Sequence, residues 1–208
     1  MVKEPHRLGK PSRQKVLFEV LVPTMPGREA LLSRLMTVLE PQFTHFPDAC
    51  YVCDWGEGSI GAKRQRMMET SLADYVAFVD DDDMVSEDYL ARIMPLLRKA
   101  PDVVGISMHV TIDGTEWHPW PIFRHSLQFK ENVQWHGNDR TPHHLCPMRR
   151  TLAVESRFPD LMWGEDYNFA VGVLPHLKTE EWSGEKPIYF YEYRTKKDDP
   201  EVRNGLDT

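Results

Sequence analysis

Tyr75-Val76-Ala77-Phe78-Val79-Asp80-Asp81-Asp82-Asp83 is the stretch on which the reading of the fold turns. Five apolar residues in a row have the length of a buried strand, and the run stops at four adjacent carboxylates. Two further strands are expected upstream, at residues 16–22, stopped by Pro23, and at residues 50–53. Each strand is followed by a helical pattern. Residues 28–40 place Leu31, Leu32, Leu35, Met36 and Leu39 on one face, with Pro41 as the expected end. Residues 59–72 form the second helix, and a third begins after Ser86, whose hydroxyl suits an N-cap ahead of Glu87 and Asp88. Three strand-helix units in succession predict an α/β fold with a mostly parallel sheet, right-handed crossovers and a ligand crevice at the carboxyl ends of the strands.

The second half is less regular. Residues 103–110 read as a strand, Ile112-Asp113-Gly114-Thr115 as a turn, and the aromatic, Pro- and His-containing residues 117–135 as hairpins and loops. Helices are expected at residues 149–155 and 165–174, and a late strand at 187–193. The expected organisation is a polar arm (1–15), a strand-helix half (16–100), a less regular half of the same domain (101–195) and a polar tail (196–208).

The formal net charge is −7, from 32 acids against 25 bases. Four of those acids form the tetrad, so the remaining 28 leave the rest of the chain at −3. The overall acidic balance disfavours generic binding to phosphate backbones or anionic lipid, the concentration of acids in the tetrad weakens that objection, and a local basic groove stays compatible with it. No apolar run approaches the ~18 to 20 residues that span a bilayer, and the basic, polar N-terminus lacks a signal-peptide pattern, so a cytoplasmic location is expected. Cys50, Cys53 and Cys146 are an odd number and suggest no disulfide framework. A zinc site joining the Cys50-x-x-Cys53 pair to His143, His144 and Cys146 is disfavoured, because residues three apart on a strand face opposite ways.

Adjacent carboxylates repel, and a tetrad is costly unless a cation or donors compensate it. Mg²⁺ or Mn²⁺ prefers carboxylate and phosphate oxygens, so an acid cluster at a strand's carboxyl end suits a metal-bound nucleotide diphosphate. Upstream, Asp54-Trp55-Gly56-Glu57-Gly58-Ser59-Ile60-Gly61-Ala62-Lys63-Arg64-Gln65-Arg66 joins a strand-end acid, glycines and a basic helix start. Helix-start N–H groups and the cations Lys63, Arg64 and Arg66 attract phosphate oxygens. No Walker loop is present. Downstream, Trp163-Gly164-Glu165-Asp166-Tyr167 sets two acids at a helix start: Glu165 and Asp166 either complement the helix dipole or offer a general base, and Trp163 gives a flat face for a ring. His143 and His144 are candidates to complete a metal shell, since imidazole suits Mn²⁺-type sites. Trp117, His118, Trp120, Trp135 and His136 are candidates for an acceptor cleft, with core packing as the alternative for the tryptophans.

Taken in order, Val22-Pro23-Thr24, Gly61-Ala62-Lys63-Arg64, Phe78 through Asp83, Arg149-Arg150 and Gly164-Glu165-Asp166 resemble the family 2 glycosyltransferases of the GT-A fold, over about residues 16–175. The resemblance implies a Rossmann-like central sheet flanked by helices and inverting transfer of a sugar from a nucleotide-diphosphate donor with Mn²⁺ or Mg²⁺. It implies that Pro23, Thr24 and Asp54 border the nucleoside, that Lys63 and Arg64 lie near base or diphosphate, and that Asp80 and Asp81 contact the donor. Asp80 and Asp82 would form the metal-holding pair, with His144 as a further ligand. Asp166 would be the base, with Glu165 beside it, and Trp163 and Trp135 would face the acceptor. Gln65 stands where the family commonly has Asn.

Other readings are a nucleotidyltransferase, a non-catalytic nucleotide- or metal-binding module, and a haloacid-dehalogenase-type phosphatase built on Asp81-x-Asp83-x-Val85. The phosphatase reading lacks its later Gly-Asp-x-x-x-Asp motif. The acceptor stays open among a glycan, a small molecule, a protein and a hydroxylated DNA base.

Overall fold

The computed structural model describes residues 15–117, 121–133 and 139–195. The expected acceptor residues His118, Trp120, Trp135 and His136 lie outside the described residues, as do most of the arm and the whole tail.

Strand β1 (Phe18–Pro23) is buried at all six positions, Glu19 included, as a strand covered on both faces of a parallel sheet is. It pairs in parallel with β2 (Ala49–Asp54) on one side and β3 (Tyr75–Phe78) on the other. The connecting helices are α1 (Glu29–Leu39) and α2 (Ile60–Thr70), and α3 (Tyr89–Leu97) follows the two-residue strand β4 (Met84–Val85). Ser59 caps α2 by accepting from the Ala62 N–H at 3.0 Å, which satisfies one orphan donor of the first turn. The α-helix ends at Leu39, just before Pro41, as expected. The backbone continues as a 3₁₀ helix over Glu40–His45, where a proline in the first turn sacrifices no hydrogen bond.

The second half completes the same sheet. Its long strand β5 (Val103–Ile112) turns at Asp113-Gly114, both at positive φ, into the short antiparallel β6 (Thr115–Glu116). The remaining elements are β7 (Ile122–His125), β8 (Asp139–Arg140), β9 (Met148–Arg149), α4 (Arg150–Ser156), α5 (Glu165–Val173), β10 (Glu180–Trp182) and β11 (Tyr189–Tyr193). The sheet order is β2-β1-β3-β9-β5-β11-β4, with β6, β7 and β10 also on β5 and β8 on β7. β9 runs antiparallel to both β3 and β5, a two-residue insertion too short to leave a periodic signal. No helix among the described residues is long and apolar enough to cross a membrane.

Register fixes where chemistry can collect. Pro23 lies opposite Asp54 and Leu21 opposite Phe78, so the chain leaves β1, β2 and β3 on one edge, at Thr24, Asp54 and the tetrad. The loop ahead of α5 closes over that edge through Gly61, whose N–H donates to the Leu161 carbonyl at 3.1 Å. A Cβ on Gly61 would collide with the Pro159 carbonyl oxygen, a backbone atom that cannot swing aside. Gly61→Ala is therefore expected to lower stability by about 1 to 3 kcal/mol, the usual cost of overpacking. Urea denaturation checks this, and an unchanged midpoint would show that the two segments are not pressed together.

Candidate active site

The tetrad divides by alternation. Asp81 and Asp83 are 3% and 1% exposed, whereas the side chains of Asp80 and Asp82 are 24% and 34% exposed. The turn that does this is closed by the Asp83 N–H donating to the Asp80 carbonyl at 3.1 Å. Asp83 faces inward, accepting from the Tyr189 hydroxyl at 2.6 Å and the Glu192 N–H at 2.9 Å, while the Tyr189 oxygen accepts from the Asp80 N–H at 3.2 Å. Asp81 also faces inward, accepting from the Thr24 hydroxyl at 2.6 Å and pairing with Arg28 at 3.0 Å. Burial pushes the Asp81 carboxyl up to about 6, against the pull of Thr24 and Arg28. It pushes Asp83 well above the usual carboxylate range, with the neighbouring carboxylates adding to it.

Arg64, buried on α2, joins the tetrad to the segment around α5. Its Nη2 donates to Asp80 Oδ1 at 2.7 Å and its Nη1 donates to Glu165 Oε1. The guanidinium lies over the rings of Phe78 and Phe158, 5.7 and 5.9 Å from their centroids. Burial alone would raise Asp80, but the Arg64 guanidinium beside it outweighs burial and holds this carboxyl well below its ordinary value. Glu165 is raised, because burial exceeds the effect of its single guanidinium partner. Lys63 Nζ donates to the Thr24 carbonyl, and Asp54 accepts from the Gly56 N–H at 2.6 Å and from Arg66 Nε and Nη2 at 3.0 and 2.8 Å. Pro23, Thr24, Asp54, Lys63, Arg64 and the tetrad thus form one connected edge.

A match to the glycosyl transferase family 2 model covers residues 43–158, more than half of the chain and from just before β2 to the loop beyond α4. The chain belongs to glycosyl transferase family 2. Its fold is similar to that of S. aureus TarS. With TarS 1–349 in complex with UDP-GlcNAc the TM-score is 0.64 at 17% identity, covering 86% of this chain and 59% of that one. With the UDP complex of the same TarS segment it is 0.61 at 17% identity, covering 87% and 62%. The longer TarS chain gives 0.63 at 16% identity, with 85% of this chain but 37% of that one. This family 2 chain therefore spans about three fifths of the TarS segment. No curated protein sequence matches it.

Asp166 follows Glu165 at the start of α5, after Gly164 in the left-handed conformation (φ 78°) that lets the chain enter the helix sharply. The two acids take different positions. Glu165 is buried against Arg64, whereas Asp166 is partly open, with Arg140 Nη1 3.8 Å from its Oδ2. Trp163 is 86% exposed beside them.

Behind Asp80 stand three buried histidines. The His125 and His143 rings meet edge to face at 4.2 Å, and the His143 and His144 centroids are 4.9 Å apart. Burial pushes all three imidazoles below their usual value, so they are neutral at pH 7. Among the described residues neither ring nitrogen of His144 has a hydrogen-bond partner, and Nε2 lies 3.9 Å from Asp80 Oδ2. An unsatisfied neutral imidazole facing a partly open carboxylate, with Asp82 alongside, fits the donor set of an Mn²⁺-type cation. Among the described residues no three His, Cys, Asp or Glu side chains form a ready-made cluster.

Arg28, Arg140 and Tyr189 are site residues that the sequence reading did not single out. Each lies far in sequence from its carboxylate. Only the absence of a compensating cation next to the tetrad hinted that distant ones were needed.

Proposed function

We propose that this chain is a metal-dependent, inverting glycosyltransferase that moves a sugar from a nucleotide-diphosphate donor to an acceptor hydroxyl. The observation that carries this reading is that two partly open acids, Asp80 and Asp82, and a partly open Asp166 share one edge, with the buried Arg64 joining Asp80 to Glu165, the neighbour of Asp166. Residues 16–100 hold the donor in this reading and residues 101–195 supply the acceptor side, although Asp83 and Tyr189 tie the two together. The donor nucleoside lies against Pro23, Thr24 and Asp54, and Lys63 and Arg64 hold the edge on which the diphosphate rests. UDP-sugars are the first donors to test, since a structural neighbour is described in complex with UDP-GlcNAc. The acceptor is a glycan, a small molecule or a hydroxylated DNA base, and Trp163 offers it a flat face. A cytoplasmic location is part of the proposal.

Asp80, Asp82 and the neutral His144 ring would hold Mn²⁺ or Mg²⁺, which supplies positive charge where the leaving diphosphate gains negative charge. Asp166 accepts the proton of the acceptor hydroxyl as its oxygen attacks the anomeric carbon on the face opposite the diphosphate. The new bond forms on that face, and configuration inverts. Glu165 positions rather than reacts in this scheme, because Arg64 already engages its carboxylate. Phosphatase chemistry at Asp81 is disfavoured, since that carboxyl is buried beneath Thr24 and Arg28.

The test is hydrolysis of a panel of nucleotide sugars with Mn²⁺ and with EDTA. One donor is expected to release its nucleotide with Mn²⁺, with the release lost on chelation. Release undiminished by EDTA would remove the metal from the proposal, and an Asp81-dependent release of phosphate from a generic ester would replace it with the phosphatase reading.

A further inference from the structure

We propose that Arg28 is a displaceable counter-ion of the donor site: its guanidinium stands on the carboxylate that a divalent cation would use, and it turns to the donor's diphosphate when cation and donor bind together. The inference rests on the donor-site reading above and adds to it a residue that couples the two ligands.

Arg28 closes the turn after β1, where Gly27 at φ 94° lets the chain reverse and the Arg28 N–H donates to the Met25 carbonyl at 3.2 Å. From there Nη2 reaches Asp82 Oδ2 at 2.6 Å and Asp81 Oδ1 at 3.0 Å. The other carboxylates of the tetrad have fixed donors: Asp80 has Arg64, Asp81 has the Thr24 hydroxyl, and Asp83 has Tyr189 and the Glu192 N–H. Asp82 is the most open of the four, and among the described residues Arg28 is the side chain paired with its carboxylate.

Two positive charges cannot share Asp82 at no cost. A dication bound there lies within a few ångströms of the guanidinium, and at that range like charges repel appreciably even near a protein surface. A cation alone therefore competes with Arg28. A diphosphate changes the balance, because its oxygens match the planar guanidinium fork and offer Arg28 a new partner as it leaves Asp82. Cation and nucleotide should each strengthen the binding of the other, and linkage makes that coupling equal in both directions.

The test uses the full chain, Mn²⁺ as the cation and UDP as the nucleotide. Mn²⁺ binding is followed by the electron paramagnetic resonance signal of the free ion, without UDP and with it, in the parent, Arg28→Gln and Arg28→Lys. The parent is expected to bind Mn²⁺ weakly alone and about tenfold or more tightly with UDP, a typical coupling factor. Arg28→Gln should bind Mn²⁺ alone more tightly than the parent and lose most of the UDP enhancement. Arg28→Lys, which keeps the charge, should stay near the parent for Mn²⁺ alone. Equal Mn²⁺ affinity in parent and Arg28→Gln, or an undiminished UDP enhancement, would overturn the inference and leave the donor-site reading standing. A parent that takes up no Mn²⁺ even with UDP would end both.

Discussion

Asp166→Asn is expected to lower turnover by about 10² to 10⁴, the usual contribution of a positioned general base, while nucleotide-diphosphate binding is retained. The substitution keeps the size and shape of the side chain at the start of α5. It replaces the basic carboxylate with an amide, which is too weak a base to take up the acceptor's proton. Asp166 suits this role better than Glu165, because it is partly open and stands 3.8 Å from Arg140, whereas Glu165 is buried against Arg64. The two should therefore respond differently. Glu165→Gln leaves Arg64 with Asp80 alone and is expected to reduce stability as well as activity. Steady-state kinetics and nucleotide calorimetry on the same variants separate these outcomes, and normal turnover in Asp166→Asn would remove the base assignment.

Arg64→Met should cost about 3 to 5 kcal/mol of stability, the range for removing one partner of a buried ion pair. Methionine fills much of the same volume against Phe78 and Phe158, so lost packing is minor. The loss arises because Glu165 and Asp80 are left near each other without the guanidinium that both share. Arg64→Lys keeps the charge but cannot reach both carboxylates with one planar fork. It is expected to fall between parent and methionine variant in urea denaturation and to bind nucleotide poorly. If Arg64→Met were as stable as the parent, the junction of donor and catalytic edges would have to lie elsewhere.

Much of this architecture is legible in the amino-acid sequence. β1, β2 and β3 are short apolar runs with polar ends, and α1 and α2 carry one apolar face or a capped start, so the three strand-helix units follow from local pattern. The position of the tetrad at the end of a buried strand is equally plain. What local pattern cannot supply is the pairing of distant segments. Met148-Arg149 is too short to read as a strand, yet it sits between β3 and β5 and joins the halves of the sheet. Four identical residues carry no register in themselves, and the split into buried Asp81 and Asp83 and open Asp80 and Asp82 is set by a turn conformation and by Thr24, Tyr189 and Glu192. By local pattern alone Glu165 and Asp166 are two similar acids at a helix start, and only the family resemblance singles out Asp166; in the structure Arg64, 101 residues before Glu165, engages Glu165 and separates the two.

Titration of nucleoside diphosphates into the chain with Mn²⁺ present, followed by calorimetry on the parent and on Asp82→Ala, tests the central claim most directly. The account predicts saturable binding of at least one nucleoside diphosphate by the parent, lost on chelation and lost in Asp82→Ala. No binding of any nucleoside diphosphate by a folded parent, or equal binding by the two proteins, would contradict it.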